Sequence, residues 1–181
     1  MSASLLGCVL AGGQSTRFGS DKALATLNGR TLLDHSVLWL ESHCGAVIAA
    51  GRDDARVLCV PDWPESGLGP LGGLAGALRH AAGHGHDALL TIGVDSLGLP
   101  DDLPALLAPG PSCLSAQPVV GLWPVAVLGV LEEILTGGER RSMIHFAERC
   151  GARLVDTPST PANVNTPEDL ARLIGKGDPS V

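Results

Sequence analysis

The sequence predicts an α/β fold built around a largely parallel sheet. Short apolar runs recur along the first half of the chain, and each run ends in glycine, proline or aspartate. Helix-like segments lie between these runs, so strand and helix alternate. Runs that are apolar on both faces suit strands buried between two layers of helices. Their alternation with helices is typical of a parallel sheet.

The first half of the chain supplies four strands and two helices. We predict strands at 5–10, 46–50, 57–60 and 88–94. The helix at 31–42 begins with Thr31, because its hydroxyl can accept from the free N–H groups of a first turn. The helix at 70–82 begins with Pro70, whose missing N–H costs nothing at that position.

The second half is less regular and predicts an antiparallel addition to the sheet. Two strands, at 112–116 and 119–123, precede helices at 124–136 and 141–150, and a short strand follows at 153–156. Thr166 caps a last helix, because a proline and then two carboxylates follow it in the first turn. The last five residues, 177–181, are expected to be untethered.

Composition limits the possible function. A chain of 181 residues with 45% apolar residues predicts one domain, and no linker divides it. The net charge of −7 argues against a nucleic-acid-binding surface. The five cysteines are far apart and predict core residues of a cytoplasmic protein. The first apolar run is too short for a signal peptide or a membrane span.

A glycine-rich stretch follows the first strand directly. Gly12 and Gly13 allow backbone N–H groups to converge on an anion, and Arg17 and Lys22 add positive charge. The spacing matches neither the Walker loop nor the dinucleotide fingerprint. The alternative is an ordinary Gly-Gly turn beside two solvated cations.

Three further features stand at predicted strand ends or helix starts. Asp95 ends the strand at 88–94, where open α/β sheets bind ligands, and its carboxylate suits Mg²⁺; the alternative is a turn or capping aspartate. Gly72 and Gly73 predict a second close approach to the ligand or, equally, close packing. Asp62 is a weaker candidate for a hydrogen bond to a ribose or base.

Together these residues resemble the molybdenum-cofactor nucleotidyltransferases, and their guanylyltransferases in particular. The family's first motif is met by Leu-Ala-Gly-Gly at 10–13, then Arg17, Gly19, Asp21 and Lys22. Its later motifs follow in order across nearly the whole chain: Gly-Pro-Leu-Gly-Gly at 69–73, Asp95, Gln-Pro at 117–118, Gly-Glu-Arg-Arg at 138–141 and Asn-Val-Asn-Thr-Pro-Glu-Asp-Leu at 163–170. The Gly-Glu-Arg-Arg stretch favours the guanylyltransferases.

One segment and one single residue depart from the family pattern. The segment 93–98 reads Gly-Val-Asp-Ser-Leu-Gly where the family often has Pro-Cys-Asp-x-Pro-Phe. Ala49 stands where the family has a nucleotide-contacting asparagine. A changed nucleotide preference or a reduced rate would fit both departures.

The resemblance implies a three-layer Rossmann-like nucleotidyltransferase fold, with a nucleotide-binding half at about 1–100 and an acceptor-binding half at about 101–176. A phosphate of molybdopterin would attack GTP, release pyrophosphate and form the guanine dinucleotide, with Mg²⁺ as cofactor. The implied catalytic residues are Arg17, Lys22 and Asp95. The implied nucleotide contacts are Leu10, Ala11, Gly12, Gly13, Lys22, Asp62 and Asp95, and Asp95 would hold the metal.

The acceptor side and several rival activities stay open. Arg140 and Arg141 would meet the pterin phosphate, and Asn163 and Asn165 would line the acceptor site; the alternatives are a solvated helix start and a turn. Rival activities are cytidylyl transfer to the same cofactor, nucleotidyl transfer to a sugar phosphate, and nucleotide binding without catalysis. No nucleic acid or membrane partner is expected, whereas contacts with other cofactor-biosynthesis proteins or recipient molybdoenzymes stay open.

Overall fold

The computed structural model describes residues 4–12, 21–53, 55–157, 162–164, 166, 168–169 and 171. The strands, in chain order, are β1 (Leu5–Leu10), β2 (Thr26–Leu27), β3 (Arg30–Thr31), β4 (Ala46–Ala50), β5 (Leu58–Val60), β6 (Ala88–Gly93), β7 (Ser96–Leu97), β8 (Ser112–Leu114), β9 (Gly121–Pro124), β10 (Arg153–Val155) and β11 (Ala162–Asn163). The α-helices are α1 (Leu32–Glu41), α2 (Pro70–Gly83), α3 (Leu103–Leu107), α4 (Leu128–Thr136) and α5 (Met143–Arg149). Single 3-10 turns occupy Lys22–Leu24 and Val125–Val127.

Seven strands form one central sheet in the order β10-β8-β9-β6-β1-β4-β5. The four strands β6, β1, β4 and β5 run parallel to one another. Strand β9 runs antiparallel to both of its neighbours, and β10 runs parallel to β8. The predicted mostly parallel sheet with an antiparallel addition is therefore confirmed.

Alternation along the strands places a helical layer on each face of the sheet. Leu6, Cys8 and Leu10 of β1 are buried in one cluster with residues of α2, α4 and α5. Val9, between them, is buried in a second cluster with residues of α1 and α3. Because successive side chains of a strand point to opposite faces, the apolar run of β1 contributes to both cores. The predicted three-layer architecture is confirmed.

The five cysteines form no disulfide. All five cysteines are free thiols, and burial raises the pKa of Cys113 to about 11, so it stays protonated near neutral pH. Among the described residues, no helix combines the length and the apolar character that a bilayer crossing needs.

Strand and helix limits in the first half agree closely with the sequence. β1 and β4 match the predicted limits, and β5 begins one residue later than predicted. Thr31 caps α1 as predicted, because its hydroxyl accepts from the Asp34 N–H at 3.0 Å. Near the end of the chain Thr166 and Asp169 cap each other, since each backbone N–H donates to the other side chain.

The predicted limits in the second half need correction. Pro124 ends β9 instead of beginning a helix, because a 3-10 turn separates it from α4. Ser142 caps α5 by accepting from the His145 N–H, so Arg141 lies before the helix and not in it. The pairs β2–β3 and β7–β11, the short helix α3 and the turn at Lys22–Leu24 have no counterpart in the sequence prediction. The tail at 177–181 lies outside the described residues.

Candidate active site

The register of the parallel strands brings four connecting segments to one edge of the sheet. Leu10 pairs with Ala50 on β4 and with Gly93 on β6, and Ala50 pairs with Val60 on β5. The residues that follow these strand ends therefore lie side by side at the carboxyl edge, where open α/β sheets bind ligands. Adjacent strands are about 4.8 Å apart, so this row spans roughly 14 Å from β6 to β5.

Lys22 and Asp95 meet at this edge, although 72 residues separate them along the chain. The Lys22 ammonium donates to Asp95 Oδ2 at 2.7 Å, and the two side chains are only 13% and 23% exposed. Partial burial weakens the competition from water, so this pair is stronger than an ordinary surface salt bridge. The two residues predicted independently from the glycine-rich stretch and from a strand end thus form one charged centre.

The Asp95 segment is fixed by backbone and side-chain contacts. The Asp95 carbonyl accepts from the Val164 N–H at 3.2 Å, next to the pairing of β7 with β11. Ser96, which is buried, donates its hydroxyl proton to Gln117 at 2.9 Å. A Cβ on Gly93 would lie 2.5 Å from Asp95 Oδ1. The glycine that departs from the family pattern therefore makes room for the carboxylate to fold back over the end of β6.

Gly12 and Gly51 bring the ends of β1 and β4 into direct backbone contact. A Cβ on Gly12 would lie 2.9 Å from the Gly51 Cα, and a Cβ on Gly51 would lie 2.4 Å from the Gly12 Cα. The Ala11 N–H already donates to the Ala50 carbonyl, and the Leu10 carbonyl accepts from the Val94 N–H. The contact between the two strand ends therefore requires glycine at both positions. Of the backbone groups predicted to contact the nucleotide, the Ala11 N–H already donates within the sheet.

Three glycines of α2 pack closely against neighbouring residues. A Cβ on Gly76 would lie 2.0 Å from the Pro61 carbonyl oxygen, and Cβ atoms on Gly72 and Gly73 would lie 3.3 Å and 3.5 Å from the Asp62 carboxylate. Helix α2 thus lies directly against the segment that follows β5. Gly72 and Gly73 thus pack against Asp62 and enclose it, while their predicted approach to a ligand stays a prediction.

Asp62 carries the only unsatisfied carboxylate oxygen found among the buried side-chain atoms of the described residues. Its Oδ1 is buried and has no hydrogen-bond partner, although the Gly67 N–H donates to the carboxylate. Burial raises the pKa of Asp62 above its ordinary value. A buried acceptor without a donor is costly for folding, and a ligand hydroxyl or N–H would satisfy it.

Replacing Asp62 with asparagine is expected to stabilise the unliganded protein and to weaken nucleotide binding about tenfold. Because the folded-state pKa is raised, the protonated form favours folding, and that stability is lost as pH rises through the folded pKa. The stability gain of Asp62→Asn should therefore grow above pH 3.8. Thermal unfolding across this range and nucleotide titration measure both effects; an equal gain in the exposed Asp102→Asn would contradict this explanation.

Comparison with known proteins assigns the chain to a family, and the matched region includes this edge of the sheet. The model of the MobA-like NTP transferase domain matches residues 7–152, which include the Lys22–Asp95 centre and Asp62. The chain belongs to this family. A molybdenum cofactor guanylyltransferase of Acidiphilium cryptum is 37% identical over 90% of this chain and 90% of its own length, and one of Cereibacter sphaeroides is 43% identical over 93% and 94%.

Solved structures of other nucleotidyltransferases share the fold. Molybdopterin-guanine dinucleotide biosynthesis protein A from Archaeoglobus fulgidus superposes with a TM-score of 0.71 at 20% identity, covering 94% of this chain and 97% of that one. The 2-C-methyl-D-erythritol 4-phosphate cytidylyltransferase of Thermus thermophilus gives 0.65 at 17% identity, covering 97% and 98%. At these identities the superpositions establish the Rossmann-like nucleotidyltransferase fold predicted from the sequence.

The remaining residues that the family resemblance singled out are only partly covered by the structure. Gly13, Arg17 and Asn165 lie outside the described residues. Asn163 belongs to β11, which pairs with the strand directly after Asp95. Ala49, which stands where the family has a nucleotide-contacting asparagine, lies within β4 and is fully buried.

The two arginines of the Gly-Glu-Arg-Arg stretch differ in their surroundings. Arg141 donates to the Leu135 carbonyl at 3.1 Å and so satisfies a free acceptor in the last turn of α4. Arg140 is exposed, and within the described part of the chain its guanidinium makes no hydrogen bond or ion pair, although its carbonyl accepts from the Ser142 N–H. Glu139 bonds to both His145 and Arg149 and thereby joins the turn to α5. Of the charged side chains in the Gly-Glu-Arg-Arg stretch, that of Arg140 is the one left to bind a ligand.

The donor set at the strand ends fits a magnesium ion that a nucleotide brings with it. No three His, Cys, Asp or Glu side chains of the described residues gather into a group able to hold a metal by themselves. Mg²⁺ needs only one or two carboxylates when phosphate and water complete its octahedron. The partly exposed Asp95 carboxylate meets that requirement.

The sequence analysis did not identify Arg52, nor the pairing of Asp21 with it. Arg52 follows the end of β4 just as Asp95 follows the end of β6, and its Nη2 donates to Asp21 Oδ2 at 3.2 Å. Asp21 also caps the turn that begins with Lys22. The signal was available, because a basic residue directly after a parallel strand stands at the ligand edge.

Proposed function

We propose that this chain transfers GMP from GTP to a phosphate of molybdopterin and releases pyrophosphate. The observation that carries the proposal is the Lys22–Asp95 centre at the carboxyl edge, with the unsatisfied Asp62 oxygen in the same row. This arrangement offers a cation for phosphates at one end and an acceptor for a nucleoside at the other. The family assignment and the two guanylyltransferase relatives support the choice of reaction.

The reaction needs positioning more than proton transfer. An oxygen of the acceptor phosphate forms a bond to the α-phosphorus, and the bond from that phosphorus to the oxygen bridging it to the β-phosphate breaks. Pyrophosphate leaves with the electron pair. A phosphate monoester is already an anion near neutral pH, since its second pKa is about 6. No general base is required, and the protein's contribution is orientation and charge neutralisation.

Each site residue has a part in this reaction. Lys22 would move from Asp95 to the triphosphate, where Arg17 and the backbone at Gly12 and Gly13 would also bind. Asp95 would then hold Mg²⁺, which supplies charge neutralisation on the phosphate oxygens when bound. Asp62 would accept a hydrogen bond from the nucleoside, which satisfies its buried oxygen.

The two arginines near α5 are expected to separate acceptor binding from stability. Arg140→Ala should raise the KM for molybdopterin about tenfold, because it removes a free cation. Arg141→Ala should leave that KM unchanged and lower the free energy of unfolding by about 1 kcal/mol, because α4 loses a capping donor. Acceptor titrations and urea unfolding of both variants measure this, and each variant serves as the control for the other. Equal effects of the two substitutions on KM would contradict the assignment.

The experiment that tests the proposed function is a pyrophosphate-release assay with Mg²⁺, molybdopterin and each of GTP, CTP, ATP and UTP, followed by mass analysis of the product. Release with GTP and formation of the guanine dinucleotide are the expected results. Release with CTP alone would assign the cytidylyltransferase activity instead. Release only when a sugar phosphate replaces molybdopterin would assign that class, and GTP binding without release would leave a nucleotide-binding accessory protein.

A further inference from the structure

Arg52 has a buried guanidinium at the edge of the site, where it pairs with Asp21. Its side chain is 7% exposed, and its Nη2 lies 3.2 Å from Asp21 Oδ2. A charge this well buried is costly unless it is paired and hydrogen-bonded. Arg56 offers a contrast, because its side chain is 43% exposed and it bridges Glu41 and Asp34 on the surface.

Asp21 uses its two carboxylate oxygens for different purposes. Oδ2 accepts from Arg52, whereas Oδ1 accepts from the Ala23 N–H at 3.0 Å and caps the 3-10 turn Lys22–Leu24. Ala23 is buried in the core cluster that includes α1, so the turn is anchored on its inner side. The orientation of this turn decides where the Lys22 side chain points.

We propose that Arg52 is a positioning residue that sets the direction of Lys22 through Asp21. The order of contacts is Arg52 to Asp21, the Asp21 cap to the turn, and Lys22 to Asp95, with every described distance at 3.2 Å or less. Arg52 is tied back to Asp21 and nearly buried, so it acts through the turn and not on the nucleotide itself. The catalytic consequence rests on the proposed function, whereas the orientation of Lys22 does not.

The sequence offers an unusual way to measure that orientation without activity. Lys22 and Lys176 are the only lysines in the chain. Acetylation with a small amine-reactive ester, followed by mass spectrometry, gives the labelling rate of Lys22 relative to Lys176. Pairing with Asp95 protects the Lys22 amine in the wild-type protein, because a protonated and hydrogen-bonded ammonium is a poor nucleophile.

Arg52→Gln and Asp21→Asn are expected to raise the Lys22-to-Lys176 labelling ratio several-fold, and Arg52→Lys should raise it less. Asparagine keeps a side-chain carbonyl for the cap, so Asp21→Asn isolates the ion pair from the capping bond. Arg56→Gln is the matched control and should leave the ratio unchanged. A ratio in Arg52→Gln and Asp21→Asn equal to that of Arg56→Gln would overturn the proposal.

Kinetics distinguish positioning from direct contact with the substrate. Arg52→Gln should lower kcat for pyrophosphate release about tenfold to a hundredfold with less than a twofold change in the KM for GTP, because misplacement affects the reacting geometry first. In the Lys22→Ala background, Arg52→Gln should cause less than a twofold further loss. A full additional loss there would overturn the relay and place Arg52 on the substrate. A labelling shift without pyrophosphate release from any protein would support the positioning and refute the proposed function.

Discussion

Asp95→Ala is expected to lower the rate of pyrophosphate release by about 10² to 10³-fold, the effect typical of losing one preorganised charged group at a reacting centre. The carboxylate follows β6, at one end of the row of strand ends and near the centre of the seven-stranded sheet, and it pairs with the Lys22 ammonium at 2.7 Å. Its removal takes away the carboxylate that pairs with the partly buried Lys22 ammonium, and with it the group proposed to bind Mg²⁺ beside the phosphates. The loss should fall mainly on kcat, because the charge it organises matters most in the transition state.

Two further substitutions make this result specific. Asp95→Asn keeps the size and the hydrogen-bonding oxygen of the side chain but not its charge, so it should lose nearly as much activity as Asp95→Ala. Asp102→Ala removes an exposed aspartate that caps α3 without a side-chain hydrogen bond, and it should keep wild-type activity. Steady-state kinetics with GTP at several Mg²⁺ concentrations measure all three variants. Activity within threefold of wild type in Asp95→Asn would show that the charge is not used.

The parts of the fold that a single sequence predicts well are those with long, uninterrupted apolar runs. The runs of β1 and β4 are apolar on both faces, which is the pattern of a strand between two helical layers. Asp95 was found for the same reason, because a polar residue ending such a run stands at the ligand edge. Two-residue strands such as β7 and β11 have no period to detect, and their pairing depends on residues far apart in the chain.

Glycine is the residue type whose role the sequence leaves most open. Gly72 and Gly73 suggest a ligand contact or close packing, and the structure shows that they, like Gly76, face the segment that carries Asp62. Gly12 similarly faces Gly51 on the neighbouring strand. A glycine in a sequence indicates that another group comes close to the backbone, but it does not identify that group. The neighbour is known only once the packing of elements far apart in the chain is known. The position of Arg52 after β4 is visible in the sequence, but its pairing with Asp21 is not, because Asp21 comes from another loop.

Gly51→Ala is expected to damage stability and nucleotide binding together. Gly51 has φ of +82°, a conformation that costs an alanine about 1–2 kcal/mol. Its added Cβ would also lie 2.4 Å from the Gly12 Cα and 2.6 Å from the Gly12 nitrogen, which are backbone atoms that have no rotamer to change. Together with this overpacking, the expected loss in the free energy of unfolding is about 2–5 kcal/mol. The Gly12 backbone must shift as well, so nucleotide affinity should fall at least about tenfold, since small displacements of a preorganised site are costly.

Gly85→Ala is the matched control because it separates strain from collision. Gly85 has φ of +76°, but a Cβ there would meet nothing within 4 Å, and it lies three residues before β6 begins, away from the carboxyl edge. This variant should lose only the conformational part, about 1–2 kcal/mol, and keep wild-type nucleotide affinity. Urea unfolding and GTP titration of both variants measure the two effects. If Gly51→Ala binds GTP as tightly as Gly85→Ala does, the contact between the ends of β1 and β4 does not shape the site, and the backbone at Gly12 has no part in holding the triphosphate.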